Sequence, residues 1–116
     1  MTRMRLTIGV AIAGLVLAAT ALAAPNASTV TVTAGKPSEL KFTLSKTSVP
    51  AGVVTFRVTN KGKSTHDFKV AGKKSALLRP GKTAVLVVTL KKGKAAYLCT
   101  LPGHAAAGMK GTLTVK

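Results

Sequence analysis

Cys99, His104 and Met109 fall within a single run, Cys99-Thr100-Leu101-Pro102-Gly103-His104-Ala105-Ala106-Ala107-Gly108-Met109. His66 is the only other histidine, there is no other cysteine, and the remaining methionines, Met1 and Met4, stand at the amino terminus. One thiolate, two imidazoles and one thioether are the donor set of a blue-copper centre, in which a weak, distant axial sulfur completes a trigonal site suited to electron transfer. Zinc is the second metal such donors could take; a thioether serves it badly and the divalent affinity order favours copper. Taken singly, each residue has a plainer use, as a structural histidine, a small buried thiol or core-filling methionine. Their joint order and spacing favour ligation.

The donors meet only if the chain brings them together. Tyr97 and Cys99 lie two apart, on one side of a strand that the cysteine ends. Leu101-Pro102-Gly103 then turns the chain, so that His104 and Met109 reach back toward the sulfur from one loop. His66 must arrive from a neighbouring strand end, delivered by the turn-rich run Asn60-Lys61-Gly62-Lys63-Ser64-Thr65. A ligand held by a rigid scaffold limits how far the geometry relaxes when the metal changes oxidation state.

The scaffold reads as strands throughout. Val30 and Val32 alternate with threonines; Leu40, Phe42 and Leu44, then Val54, Phe56 and Val58, repeat the pattern on either side of Pro50-Ala51-Gly52. His66, Phe68 and Val70 share a face of a short strand, and Ala71 to Gly81 reads as a loop. Thr83 to Leu90 is the most apolar strand, Lys91-Lys92-Gly93-Lys94 a tight basic turn, and Gly111 to Lys116 the closing strand with Leu113 and Val115 inward. About seven short strands with regular turns and no convincing helix beyond the amino-terminal segment indicate an all-β antiparallel sandwich.

Residues 1–23 carry Arg3 and Arg5, an uncharged apolar run from Leu6, and the small-x-small site Ala21-Leu22-Ala23. They read as an export signal, with an uncleaved membrane anchor as the competing reading because the run is nearly long enough to span a bilayer. No cysteine follows the run, which excludes lipid attachment there. Residues 24–116, about 93 in number, suffice for one domain with a modest core. The expected location is therefore the periplasm, cell surface or extracellular space. A lone cysteine in an oxidising compartment is a free thiol, half of an intermolecular pair or a metal ligand.

Without Arg3 and Arg5, sixteen Lys and Arg side chains face only Glu39 and Asp67, a surplus of +14. That field favours acidic partners or an anionic membrane surface and equally keeps a small sandwich soluble. Nucleic acid is disfavoured: the cations are scattered, only Phe42, Phe56, Phe68 and Tyr97 could stack on bases, and the chain is exported. Catalysis is disfavoured too. Cys99 with His104 lacks a third orienting group, adjacent His66 and Asp67 diverge on a strand, and four ligands leave no vacant metal position for substrate.

The run Asn60-Lys61-Gly62 followed by His66-Asp67-Phe68, with Tyr97-Leu98-Cys99-Thr100 and Cys-x4-His-x4-Met-x-Gly downstream, resembles the cupredoxins of the plastocyanin and azurin group. The loop spacing is closest to auracyanin-like and sulfocyanin-like members. The resemblance implies a Greek-key β-sandwich, a single copper ion cycling between Cu(II) and Cu(I), and four ligands: His66 and His104 through nitrogen, Cys99 as thiolate, Met109 as axial thioether. It further implies a monomeric one-electron carrier between redox partner proteins, docking through an apolar patch around His104. Copper storage or delivery without redox turnover is the alternative, and a metal-free adhesive sandwich the third. Family members often have Asn after the first histidine. Asp67 stands there, expected to accept a hydrogen bond from Thr100 and to favour Cu(II).

Overall fold

The computed structural model describes residues 27–116. The amino-terminal signal and its boundary at Ala23 lie outside the described residues. Nine strands occur among the described residues: β1 Ser28–Ala34, β2 Phe42–Leu44, β3 Ser48–Val49, β4 Gly52–Asn60, β5 Lys69–Val70, β6 Lys73–Lys74, β7 Thr83–Leu90, β8 Gly93–Leu98 and β9 Lys110–Val115. They form two sheets, ordered β2-β1-β4-β7 and β3-β9-β8-β5-β6. The all-β sandwich expected from the sequence is present, and the described residues contain no helix.

Period-two alternation explains the long strands. In β1 the side chains of Val30, Val32 and Ala34 are buried while Thr29 and Thr31 face solvent. In β4 the buried set is Val54, Phe56, Val58 and Asn60. Alternation fixes which face is inward but not the direction of pairing. Both sheets prove mixed: β1 runs parallel to β4 from Ser28↔Val54 to Ala34↔Asn60, and β3 runs parallel to β9. The crossover makes this workable, because the chain leaves β1 through β2 of the same sheet, enters the second sheet at β3, and returns to lie beside β1 as β4.

The apolar run of β7 lies at a sheet edge, and Val85 and Val87 are 54% and 59% exposed, so only its other face serves the core. Two local expectations change. Within Ala71 to Gly81, read as a loop, β6 pairs with β5. His66 itself belongs to no strand; it makes an isolated bridge to Leu78 just before β5.

All four aromatic side chains of the chain pack together in the core beneath the donor-bearing loops. Phe68 sits 5.4 Å from Phe42, 5.2 Å from Phe56 and 5.5 Å from Tyr97, centroid to centroid. Tyr97 pairs across the strands with Gly111, and a Cβ added there would overlap the tyrosine hydroxyl. The glycine of the Met-x-Gly run therefore makes room for the aromatic floor.

Candidate metal centre

β8 ends at Leu98, and the next residues fold back on themselves. The His104 amide donates to the Leu101 carbonyl at 3.1 Å, and those of Ala107 and Gly108 donate to Gly103 and Ala105. The Cys99 amide donates to the Met109 carbonyl at 3.0 Å and the Met109 amide to the His104 carbonyl at 3.0 Å. The loop is thus closed at its base, and three predicted ligands hang from one braced hairpin. Met109 is fully buried in a small cluster with Cys99 and Ala34, separate from the main core and flanked by Leu40, Phe42 and Leu101.

His66 comes from the other side. Its amide and carbonyl exchange hydrogen bonds with Leu78 at 3.0 and 2.8 Å. Buried Asn60, at the end of β4, donates to the carbonyls of Ser64 and Leu78, both at 2.7 Å, and accepts from the Gly62 amide. One amide side chain so ties the turn to the segment that His66 pairs with, satisfying backbone groups that burial would otherwise strand.

The two arms bring three donor atoms to one point. His66 Nδ1 and His104 Nδ1 are 3.3 Å apart, and Cys99 Sγ lies 3.5 Å from His104 Nδ1 and 4.0 Å from His66 Nδ1. Around a trigonal ion with nitrogen at ~2.0–2.1 Å and sulfur at ~2.3 Å, typical of such ligands, the separations would be about 3.5 Å between nitrogens and about 3.8 Å from nitrogen to sulfur. The spacing therefore fits one small cation. His66 and Cys99 are buried; His104 is partly exposed, the one donor of the three that reaches the surface.

Burial pushes the Cys99 thiol above its ordinary range; the Asp67 carboxylate adds to this, while backbone amides of Asp67 and Leu101 pull the other way. A metal must therefore expel a proton to bind the sulfur. Uptake of Cu(II) should release protons, and the apparent affinity should rise by about tenfold per pH unit per proton released in the neutral range. Calorimetry in buffers of different ionisation enthalpy counts those protons, and an affinity flat from pH 6 to 8 would contradict the expectation.

Asp67 is buried, and its carboxylate accepts from the Thr100 amide at 2.6 Å and from the Thr100 hydroxyl. The contact expected from the sequence joins the His66 arm to the residue after Cys99. Glu39, in the turn after β1, was not foreseen as a site residue. Its carboxylate accepts from the amides of Lys63 and Ser64, from the Ser64 hydroxyl, and from His66 Nε2 at 2.8 Å. The backbone amides of Lys63 and Ser64, then the Ser64 hydroxyl, hold its pKa down to about 2, with a smaller contribution from His66. No local spacing signals this role, since Glu39 and His66 stand 27 residues apart; scarcity is the only hint, because the described residues contain just two carboxylate side chains and both contact the donor-bearing segments.

Known proteins share this fold. Auracyanin B is 27% identical, with a TM-score of 0.68 over 77% of this chain and 88% of that one. Auracyanin A of Chloroflexus aurantiacus, described as a "blue" copper protein, is 24% identical with a TM-score of 0.62 over 78% of this chain and 99% of that one. Rusticyanin of Thiobacillus ferrooxidans is 21% identical with a TM-score of 0.69 over 79% of each chain. The last two likenesses, each under 25% identity, speak to the fold alone. No curated protein matches the chain. The family model described as the cupredoxin-like domain matches residues 6–115, and the chain belongs to that family.

Proposed function

We propose that the protein is an exported one-electron carrier that holds a single copper ion between His66, Cys99 and His104, with Met109 as the weak axial donor. The observation that carries this reading is the convergence of His66 Nδ1, Cys99 Sγ and His104 Nδ1 within 4.8 Å of one another on two independently braced arms. Copper, when bound, supplies a one-electron couple. The chain's own contribution is restraint. Asn60, the Leu78 bridge and the Cys99–Met109 bond hold the donors so that little rearrangement accompanies a change of charge, and buried His66 and Cys99 keep water from the inner side.

His104 offers the route for the electron, since it is the partly exposed residue among the three donors and stands among Leu101, Pro102, Ala105, Ala106 and Ala107. This small apolar rim suits brief docking with a redox partner. The sixteen lysines and arginines of the described residues include none in an ion pair with a carboxylate, so their field is open to an acidic partner. Such a field acts on the encounter rate. Rates with an acidic redox protein should fall by an order of magnitude or more from low to high salt, and rates independent of salt would remove the steering role.

Export is supported by the basic, apolar and small-x-small order of residues 1–23. Storage or delivery of copper is the rival use of the same donors. Spectroelectrochemistry of the copper-loaded protein separates them: a carrier returns its full colour through repeated reduction and oxidation beside a copper chelator, whereas a store loses the ion on reduction. Asp67 adds a test of tuning. Asp67→Asn keeps an acceptor for the Thr100 amide but deletes a charge beside the site, and should raise the reduction potential by tens of millivolts, the effect of a partly screened unit charge. A potential unmoved or lowered would refute it.

A further inference from the structure

The carboxylate of Glu39 leaves His66 one tautomer. Its Oε1 stands 2.8 Å from His66 Nε2 and also receives the Ser64 hydroxyl at 2.8 Å and the Ser64 amide at 2.9 Å. A carboxylate can only accept, so the imidazole contact is attractive only if Nε2 carries the proton. The Ser64 hydroxyl, already donating to Glu39, lies 3.5 Å from Nε2 and competes poorly for it. With the proton fixed on Nε2, the lone pair of Nδ1 points toward Cys99 and His104.

The surrounding chain is built to hold this carboxylate. A Cβ on Gly62 would fall 2.5 Å from Glu39 Oε1, and a Cβ on Gly35 would meet the Gly62 Cα at 2.5 Å, so these two glycines let the Glu39 turn close onto the loop before His66. In a surface with sixteen cations, the carboxylate is committed to two backbone amides, a hydroxyl and an imidazole rather than to any lysine. We propose that Glu39 is a positioning residue: it locks His66 as the Nε2–H tautomer and orients its ring, preorganising Nδ1 as a metal donor before any metal arrives.

The proposal rests on the reading of His66 as a ligand, but its first test needs no metal. Long-range proton–nitrogen correlation spectra of the metal-free protein should show His66 almost wholly as the Nε2–H tautomer; a proton on Nδ1 would overturn the proposal whatever the protein binds. Glu39→Ala should leave a mixture of tautomers, lower the Cu(II) affinity in chelator competition by about 10–100-fold, as loss of a carboxylate partner to a ligating histidine does, and shift the reduction potential. Glu39→Gln, whose amide oxygen can still accept from Nε2–H, should restore the tautomer and most of the affinity. Wild-type tautomer and affinity in the alanine variant would overturn the assignment, and should that variant not fold, the wild-type spectrum and the glutamine variant decide. Absence of copper binding in the wild type would sink the proposed function while leaving the tautomer result to judge Glu39.

Discussion

Cys99→Ser should abolish the intense visible absorption of the copper-loaded protein while leaving the fold in place. That colour requires charge transfer from a thiolate, and Cys99 is the only sulfur anion the chain can offer. A serine hydroxyl is a hard, weakly acidic donor that does not replace it. The remaining imidazoles, 3.3 Å apart, could still hold Cu(II), with an affinity lower by well over tenfold and a pale spectrum. Stability should change by only about 1 kcal/mol, because the smaller hydroxyl keeps a partner in His104 Nδ1, 3.5 Å from the sulfur it replaces. Absorption, chelator competition and thermal unfolding of the variant check all three; an undiminished band would mean that the sulfur is not a ligand.

Phe68→Ala should be the most destabilising single change near the site. Its ring is fully buried at the centre of the aromatic cluster, in contact with Phe42, Phe56 and Tyr97. Truncating such a side chain typically costs about 3–5 kcal/mol, from lost transfer energy and the cavity left behind. Against a typical total of about 5–15 kcal/mol for a domain, this brings the protein close to unfolding. Phe68 is also two residues from His66, so the variant should bind copper more weakly even where it remains folded. Urea unfolding at unchanged slope measures the loss. Val87→Ala, at a residue 59% exposed, is the matched control and should shift stability by less than ~0.5 kcal/mol.

The elements most legible in the sequence are those where one signal suffices. Alternation gave β1 and β4 their inward faces because a half-buried strand must repeat every second residue. The same alternation is blind to strand direction, which is why the parallel pairing of β1 with β4 had to come from the crossover through β2 and β3. In β7, the apolar run marked a strand but carried no signal of its place in the sheet, which is an edge with Val85 and Val87 in solvent. At the site, Cys99, His104 and Met109 were legible because one loop holds them, and His66 because no other histidine exists.

The divergence expected of neighbours His66 and Asp67 also appears: one faces the donor cluster and the other, as the resemblance implied, Thr100, while the complete burial of both is what alternation alone did not signal. Glu39 escaped notice for a different reason. Its four contacts depend on the turn after β1 meeting the loop after β4, a tertiary approach permitted by Gly35 and Gly62 and marked by no spacing along the chain.

Titrating the metal-free protein with Cu(II) while following visible absorption shows whether a rigid β framework gathers one sulfur and two imidazole nitrogens around a single redox-active ion. A strong charge-transfer band that grows to one equivalent, disappears on reduction and returns on oxidation is the predicted result. A colourless protein at one equivalent, or a band that survives Cys99→Ser, would contradict it.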